Sequence, residues 1–176
     1  MLTITIMSMA VVLVGVQKAP VDTAKESAQK LAKACAEATI KKDLAKVIDL
    51  THPMAVAAMG GRRTAIKIAE EELKKAERDG VKMLSVAEVL LPKKIYPSAK
   101  AHYCVVPVSF HIKVDDSKYL LRSALIGISI DAGKAWKFVD ISLGEEAVRK
   151  LLPDMPKELD FPPKAEAVPE VKDAGR

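Results

Sequence analysis

The order of the hydrophobic patterns constrains this chain more than any other feature. Helical spacing of apolar residues fills the first half, from about Asp22 to Asp79, and strict alternation fills the second, from about Val81 to Leu143. The last alternating stretch reads Lys134-Ala-Trp-Lys-Phe-Val-Asp140. Side chains return to one face every ~3.6 residues on a helix and every second residue on a strand, so a change of period marks a change of element. Helices segregated from antiparallel strands predict an α+β domain, with N-terminal helices packed on one face of a curved, cone-like antiparallel β-sheet.

A chain of 176 residues suits one domain with appendages and can bury a substantial core. Only one Trp, three Tyr and three Phe are present, so that core must be aliphatic. The scarcity of rings also argues against a nucleic-acid partner, where stacking aromatics join the basic residues. The net charge is +5, with Lys and Arg interleaved among Asp and Glu in both halves. That pattern reads as a solvated surface.

Both ends read as peripheral to the domain. Met1 to Val16 contains no charged residue; it is short for a membrane span of about 20 apolar residues and suits the apolar region of a secretory signal. Residues 1–19 are therefore expected to be a signal peptide or, uncleaved, a membrane tether, with the chain exported to a periplasmic or extracellular space. The structural alternative is a strand, which Thr, Ile and Val also favour. From 153 to 176 the chain carries Pro153, Pro156, Pro162, Pro163 and Pro169 among charged residues and Ala. This predicts an extended tail pinned at its start by Leu152, Met155, Leu159 and Phe161, and disordered beyond Lys164.

Within 20–152, Thr23 and Glu26 have capping-box spacing, and Ala24, Ala28, Leu31, Cys35 and Ala38 recur on one face of a first helix. A short helix follows from Asp43, then an apolar turn or short helix over Met54 to Met59, and Gly60-Gly61 precede a longer helix over about Arg62 to Asp79. That helix turns Ile66, Ala69, Leu73 and Ala76 inward and ends at Gly80. Among the strands, Val81, Met83, Ser85, Ala87, Val89 and Leu91 share one face of the first. Cys104, Val106, Val108, Phe110, Ile112 and Val114 form the apolar row of the second. Pro107 inside that run predicts an edge or a bulge. Leu120, Ala124, Ile126, Ile128 and Ile130 share a face of the next strand, and Glu145 to Leu152 closes the domain as a short helix.

Three segments carry a resemblance: Lys41-Lys-Asp-Leu-Ala-Lys-Val-Ile-Asp-Leu-Thr-His-Pro53, Gly60-Gly-Arg-Arg63 and the final Trp136-Lys-Phe-Val-Asp140. With the element order they make roughly Asp22 to Leu152 similar to the nuclear transport factor 2-like superfamily. The resemblance implies a cone of curved sheet wrapped by helices and enclosing a pocket. In that superfamily such a pocket serves an isomerase, a dehydratase, a small-ligand binder or a dimer surface, so the likeness speaks to fold more than to activity.

The polar residues that such a pocket would gather are Asp49, His52, Tyr103, Tyr119, Arg122 and Asp140, with Trp136 beside them on the last strand. His52, Tyr103, Tyr119, Arg122, Trp136 and Asp140 are the candidate ligand-lining set. No superfamily catalytic motif maps onto them, and Asp140 reads more readily as a cap for the turn after it or a partner for Arg122 than as a pocket group. The three histidines, His52, His102 and His111, lack metal-ligand spacing, and no cofactor motif is present. Gly60-Gly61-Arg62-Arg63 reads as a connecting turn before a helix rather than an anion cradle. Cys35 and Cys104 both fall on apolar faces and read as buried thiols, with a disulfide the alternative that export would permit.

The expected function is accordingly an exported, non-catalytic binding module. It would hold a small apolar ligand in the cone or present its sheet to a protein partner, a second copy of itself included. The alternative is a small lyase or isomerase using His52 or Asp140. Converging polar groups around a deep cavity would favour the enzyme; a pocket filled by Ile, Leu and Met would favour the module.

Overall fold

A computed structural model describes residues 21–170; the expected signal or tether and the last six residues lie outside the described residues. The elements run α1 (Val21–Ile40), α2 (Leu44–Leu50), α3 (Pro53–Ala58), α4 (Arg62–Arg78), β1 (Val81–Val89), β2 (Ile95–Pro97), β3 (His102–Val114) and β4 (Ser117–Ser129). They continue with β5 (Lys137–Asp140), a 3-10 turn Ile141–Leu143, α5 (Glu145–Leu151) and β6 (Glu166–Pro169). All strand pairs are antiparallel, in the order β1-β3-β4-β5, with β2 also on β3 and β6 also on β4. The chain is an α+β domain with helices packed on a curved antiparallel sheet.

Local chemistry sets the helix ends. Asp43 caps α2 by accepting from the Lys46 amide at 3.1 Å. Pro53 stands at the first position of α3, where its missing N–H costs nothing. Gly60 and Gly61 take φ of +86° and +91°, so the connecting-turn reading holds, and Gly80 (φ +78°) ends α4. The capping box does not form, because α1 already includes Val21 and Thr23 falls within its first turn.

The first core cluster lies between α1 and the sheet. Ala24, Ala28, Ala32, Cys35 and Ala36 meet the predicted row Cys104, Val106, Val108, Phe110 and Ile112, with Leu125, Trp136 and Phe138. The second covers the opposite face, contrary to the expectation of a sheet covered on one side only. There Tyr103, Ala124, Ile126, Ile128 and Val139 pack under Val148, Leu152, Met155 and Leu159. The start of the tail is thus pinned as expected.

Three details depart from the sequence pattern. Bulges between Met83 and Ser85 and between Val86 and Glu88 shift β1 against β3, so Val86 packs inward while Ser85 and Ala87 are exposed. Pro107 lies in the central strand β3, at the point where β1 has ended and β2 has not begun. Its carbonyl takes the last bond, from the Leu90 amide at 3.0 Å, and the missing N–H falls in that gap. Beyond Lys164 the tail adds strand β6 instead of ending in disorder, since β4 offers an open edge alongside Tyr119 to Arg122. The Glu170 amide bonds the Lys118 carbonyl at 3.0 Å and its carboxylate pairs with His111.

Candidate ligand-binding cleft

At the C-terminal end of α1 the helices and sheet part. The resulting cleft of about 620 Å³ is walled by Ile40 of α1, Leu73 and Ala76 of α4, Val81, Met83 and Leu84 of β1, Ile112 of β3 and Leu121 of β4. Ligand pockets typically measure about 300–1,000 Å³, so this volume admits a small molecule. The polar groups along it are Thr39, Lys42, Glu77 and Lys82. Thr39 donates its hydroxyl proton to the Cys35 carbonyl at 3.1 Å. The Lys42 ammonium pairs with Glu77 across the rim. The hydrogen bond from Lys42 and then its charge, with Lys82 adding a little, hold the Glu77 carboxyl below the usual carboxylate range. Of two further hollows, the one along α4 has charged walls of Glu71, Lys74, Glu77 and Arg78, and the one between α1 and β1 mixes Lys30, Lys33 and Glu88 with Val86 and Val89.

The six residues expected to line a pocket do not line this one. Trp136 is 1% exposed in the first core cluster, its indole N–H donating to the Gly133 carbonyl at 3.1 Å. Tyr119 packs half-buried at the edge of that cluster, opposite Ile112 in the ladder. Arg122 is exposed on the other sheet face, between Ser109 and Glu166. Asp140 caps the 3-10 turn, accepting from the Ser142 amide at 2.7 Å. That is one of its two expected roles. Asp49 is engaged at the surface, where Arg62 donates to both its oxygens at 2.8 and 3.1 Å; the guanidinium holds its carboxyl below the usual range.

His52 and Tyr103 are both influenced by the carboxylate of Asp154, a residue that sequence reasoning passed over. His52 caps α3, its Nδ1 accepting from the Met54 amide at 3.4 Å and its backbone N–H donating to the Phe138 carbonyl at 2.8 Å. Burial pushes its imidazole below the ordinary pKa, against an opposing pull from the Asp154 carboxylate. Tyr103, 1% exposed beneath the C-terminal segment, has its phenol pushed up by burial and by the same Asp154. Asp154 lies in a Pro-rich stretch with no periodicity, and nothing in the pattern flags it.

Cys35 and Cys104 are both free and buried. Burial, with Asp140 adding to it, pushes the Cys35 thiol up to about 11, and burial pushes Cys104 up to about 12, so neither is primed as a nucleophile. Among the described residues no group of three or more His, Cys, Asp or Glu could hold a metal ion. No helix among them is long and apolar enough to cross a membrane.

No protein-family model, no curated protein and no solved structure matches the chain.

Proposed function

We propose that this chain is an exported, non-catalytic binding module of the nuclear transport factor 2-like type that holds a small apolar ligand in the cleft between α1, α4 and β1. The observation that carries the reading is the composition of the walls: Ile40, Leu73, Val81, Met83, Leu84, Ile112 and Leu121 surround about 620 Å³. The Thr39 hydroxyl and the Lys42–Glu77 pair beside them are already engaged. Such walls bind by removing apolar surface from water, with Lys82 the remaining charged group beside them. The lyase or isomerase alternative draws on His52, whose burial favours the neutral, proton-accepting imidazole while making it a weaker base. Tyr103, under the influence of the same Asp154, is 1% exposed, however, and is covered by the C-terminal segment, which leaves a substrate no approach to that phenol.

Native mass spectrometry of the protein recovered from the export compartment tests the proposal, followed by titration with an environment-sensitive apolar dye. Retained non-covalent mass and saturable dye binding, both lost when Ala76→Trp fills the cleft, are the expected results. Dye binding and retained mass unchanged by Ala76→Trp in a folded protein would exclude the cleft as the site.

A further inference from the structure

A second feature lies at the opposite end of α1 and is independent of the cleft. Ile130, in the β4–β5 turn, is 84% exposed, the highest value among the exposed large hydrophobics of the described residues. The turn that presents it is rigid. Asp131 Oδ1 accepts from the Ser129 hydroxyl at 2.7 Å and from the Lys134 and Ala135 amides at 3.1 and 2.9 Å. The Gly133 amide donates to the Ser129 hydroxyl at 2.9 Å. The turn also rests on α1. Ser27 donates to the Lys134 carbonyl at 2.8 Å, and Gly133 sits so close that a Cβ there would lie 2.4 Å from the Ala24 side chain. Ile130 is therefore held outward by design of the turn and not by slack in it.

The surroundings point to what it meets. Val21, 56% exposed, begins α1 at this end, and the chain preceding it opens with sixteen uncharged residues. Strand β1 runs antiparallel to α1: Val81 and Met83 share the cleft with Ile40, and the Val89 carbonyl accepts from Gln29 at 2.8 Å. Leu90 and Leu91, 45% and 48% exposed, continue from Val89 in that direction, the Leu90 amide bonding the Pro107 carbonyl at 3.0 Å. Lys93, Lys94, Lys100 and Lys134 are exposed on the connections there. Asp22 and Glu26 are the exposed acids of the first turns of α1, while the Asp131 carboxylate is taken up by the turn.

We infer that this end of the domain is a membrane-apposed face, on which Ile130, Leu90 and Leu91 enter the headgroup layer of an anionic bilayer and the lysines meet lipid phosphates. Apolar side chains ringed by Lys form the pattern of interfacial binding. Val21, the first described residue, stands at this face, and the sixteen uncharged residues that open the chain before it favour a lipid surface over a soluble partner.

The test uses the full chain with its own N-terminus in vesicles of equal parts phosphatidylcholine and phosphatidylglycerol. Single nitroxide labels are placed by Ile130→Cys, Leu91→Cys and, on the cleft wall at the far end of α1, Leu84→Cys. The native thiols stay unlabelled in the folded protein because both are buried. Adding vesicles is expected to raise the ratio of oxygen to nickel-chelate accessibility several-fold at 130 and 91 and to leave 84 unchanged. A label at 130 that remains as aqueous as the one at 84 overturns the inference, whatever the N-terminal segment does. An equal shift at 130 in phosphatidylcholine alone would overturn the part given to the lysines.

Discussion

Helices α1 and α4 cover the same sheet face and do so in opposite ways. Helix α1 buries Ala24, Ala28, Ala32, Cys35, Ala36 and Ala38, while α4 buries only Ala65. The strands meet α1 with small residues of their own: a Cβ on Gly127 would lie 2.8 Å from Cys104 Sγ and 3.1 Å from the Trp136 ring. A helix faced with alanine settles until little space is left. Helix α4 presents Leu73 and Ala76 instead, both half-buried, and the strands opposite carry Met83, Ile112 and Leu121. Those side chains do not interlock, and the cleft is what remains. One face of one sheet is thus a packed core at one end and an open cleft at the other, and the helix side chains decide which.

Removing a large side chain from each end separates the two most clearly. Trp136→Ala leaves a cavity where nothing can relax and is expected to cost about 4 kcal/mol of unfolding free energy. Leu73→Ala enlarges a space that water already reaches and should cost about 1 kcal/mol. Urea unfolding followed by far-ultraviolet circular dichroism measures both; equal losses would mean that the α4 end is packed as tightly as the α1 end.

The converse pair sharpens it. Ala28 is fully buried, so Ala28→Leu must push α1 off the strands and is expected to lose about 2 kcal/mol. Ala76→Leu adds the same atoms to an open cleft and should stay within about 0.5 kcal/mol of the parent, or gain slightly, while weakening dye binding. A large loss for Ala76→Leu would show that the cleft is closed in solution.

How much of this was legible in the sequence differs by end. The alanine face of α1 and the row from Cys104 to Ile112 were readable, because spacing alone assigns residues to a face. The cleft was half-readable: Leu73, Ala76, Met83 and Ile112 stood out as inward residues. Whether inward residues touch depends on how far the elements stand apart, which no periodicity records. Trp136 was taken for a pocket wall, and it is core because Gly127 opens room for its ring; Gly127 looks unremarkable in an alternating strand. Val86 was hidden by bulges whose position depends on the pairing with β3. The strand Glu166–Pro169 was hidden because its pairing comes from β4 and its own residues are poor strand formers.

The smallest expected effect tests the seam where α3 and the C-terminal segment meet, away from both helices. Burial lowers the His52 pKa in the folded state, with Asp154 pulling the other way. The unfolded chain therefore takes up a proton near pH ~6.5 that the folded chain still refuses. The contribution of His52 is fully present above that pH and is lost as pH falls below it toward the folded value. His52→Asn keeps a side-chain acceptor for the Met54 amide and removes the titration. The parent is expected to lose stability between about pH 7.5 and about pH 5.5 by more than the Asn variant does. Parallel stability profiles would show that His52 is as well solvated folded as unfolded, and that the C-terminal segment does not close over it. A steeper loss in the variant would reverse the sign, placing Asp154 rather than burial in control of the imidazole.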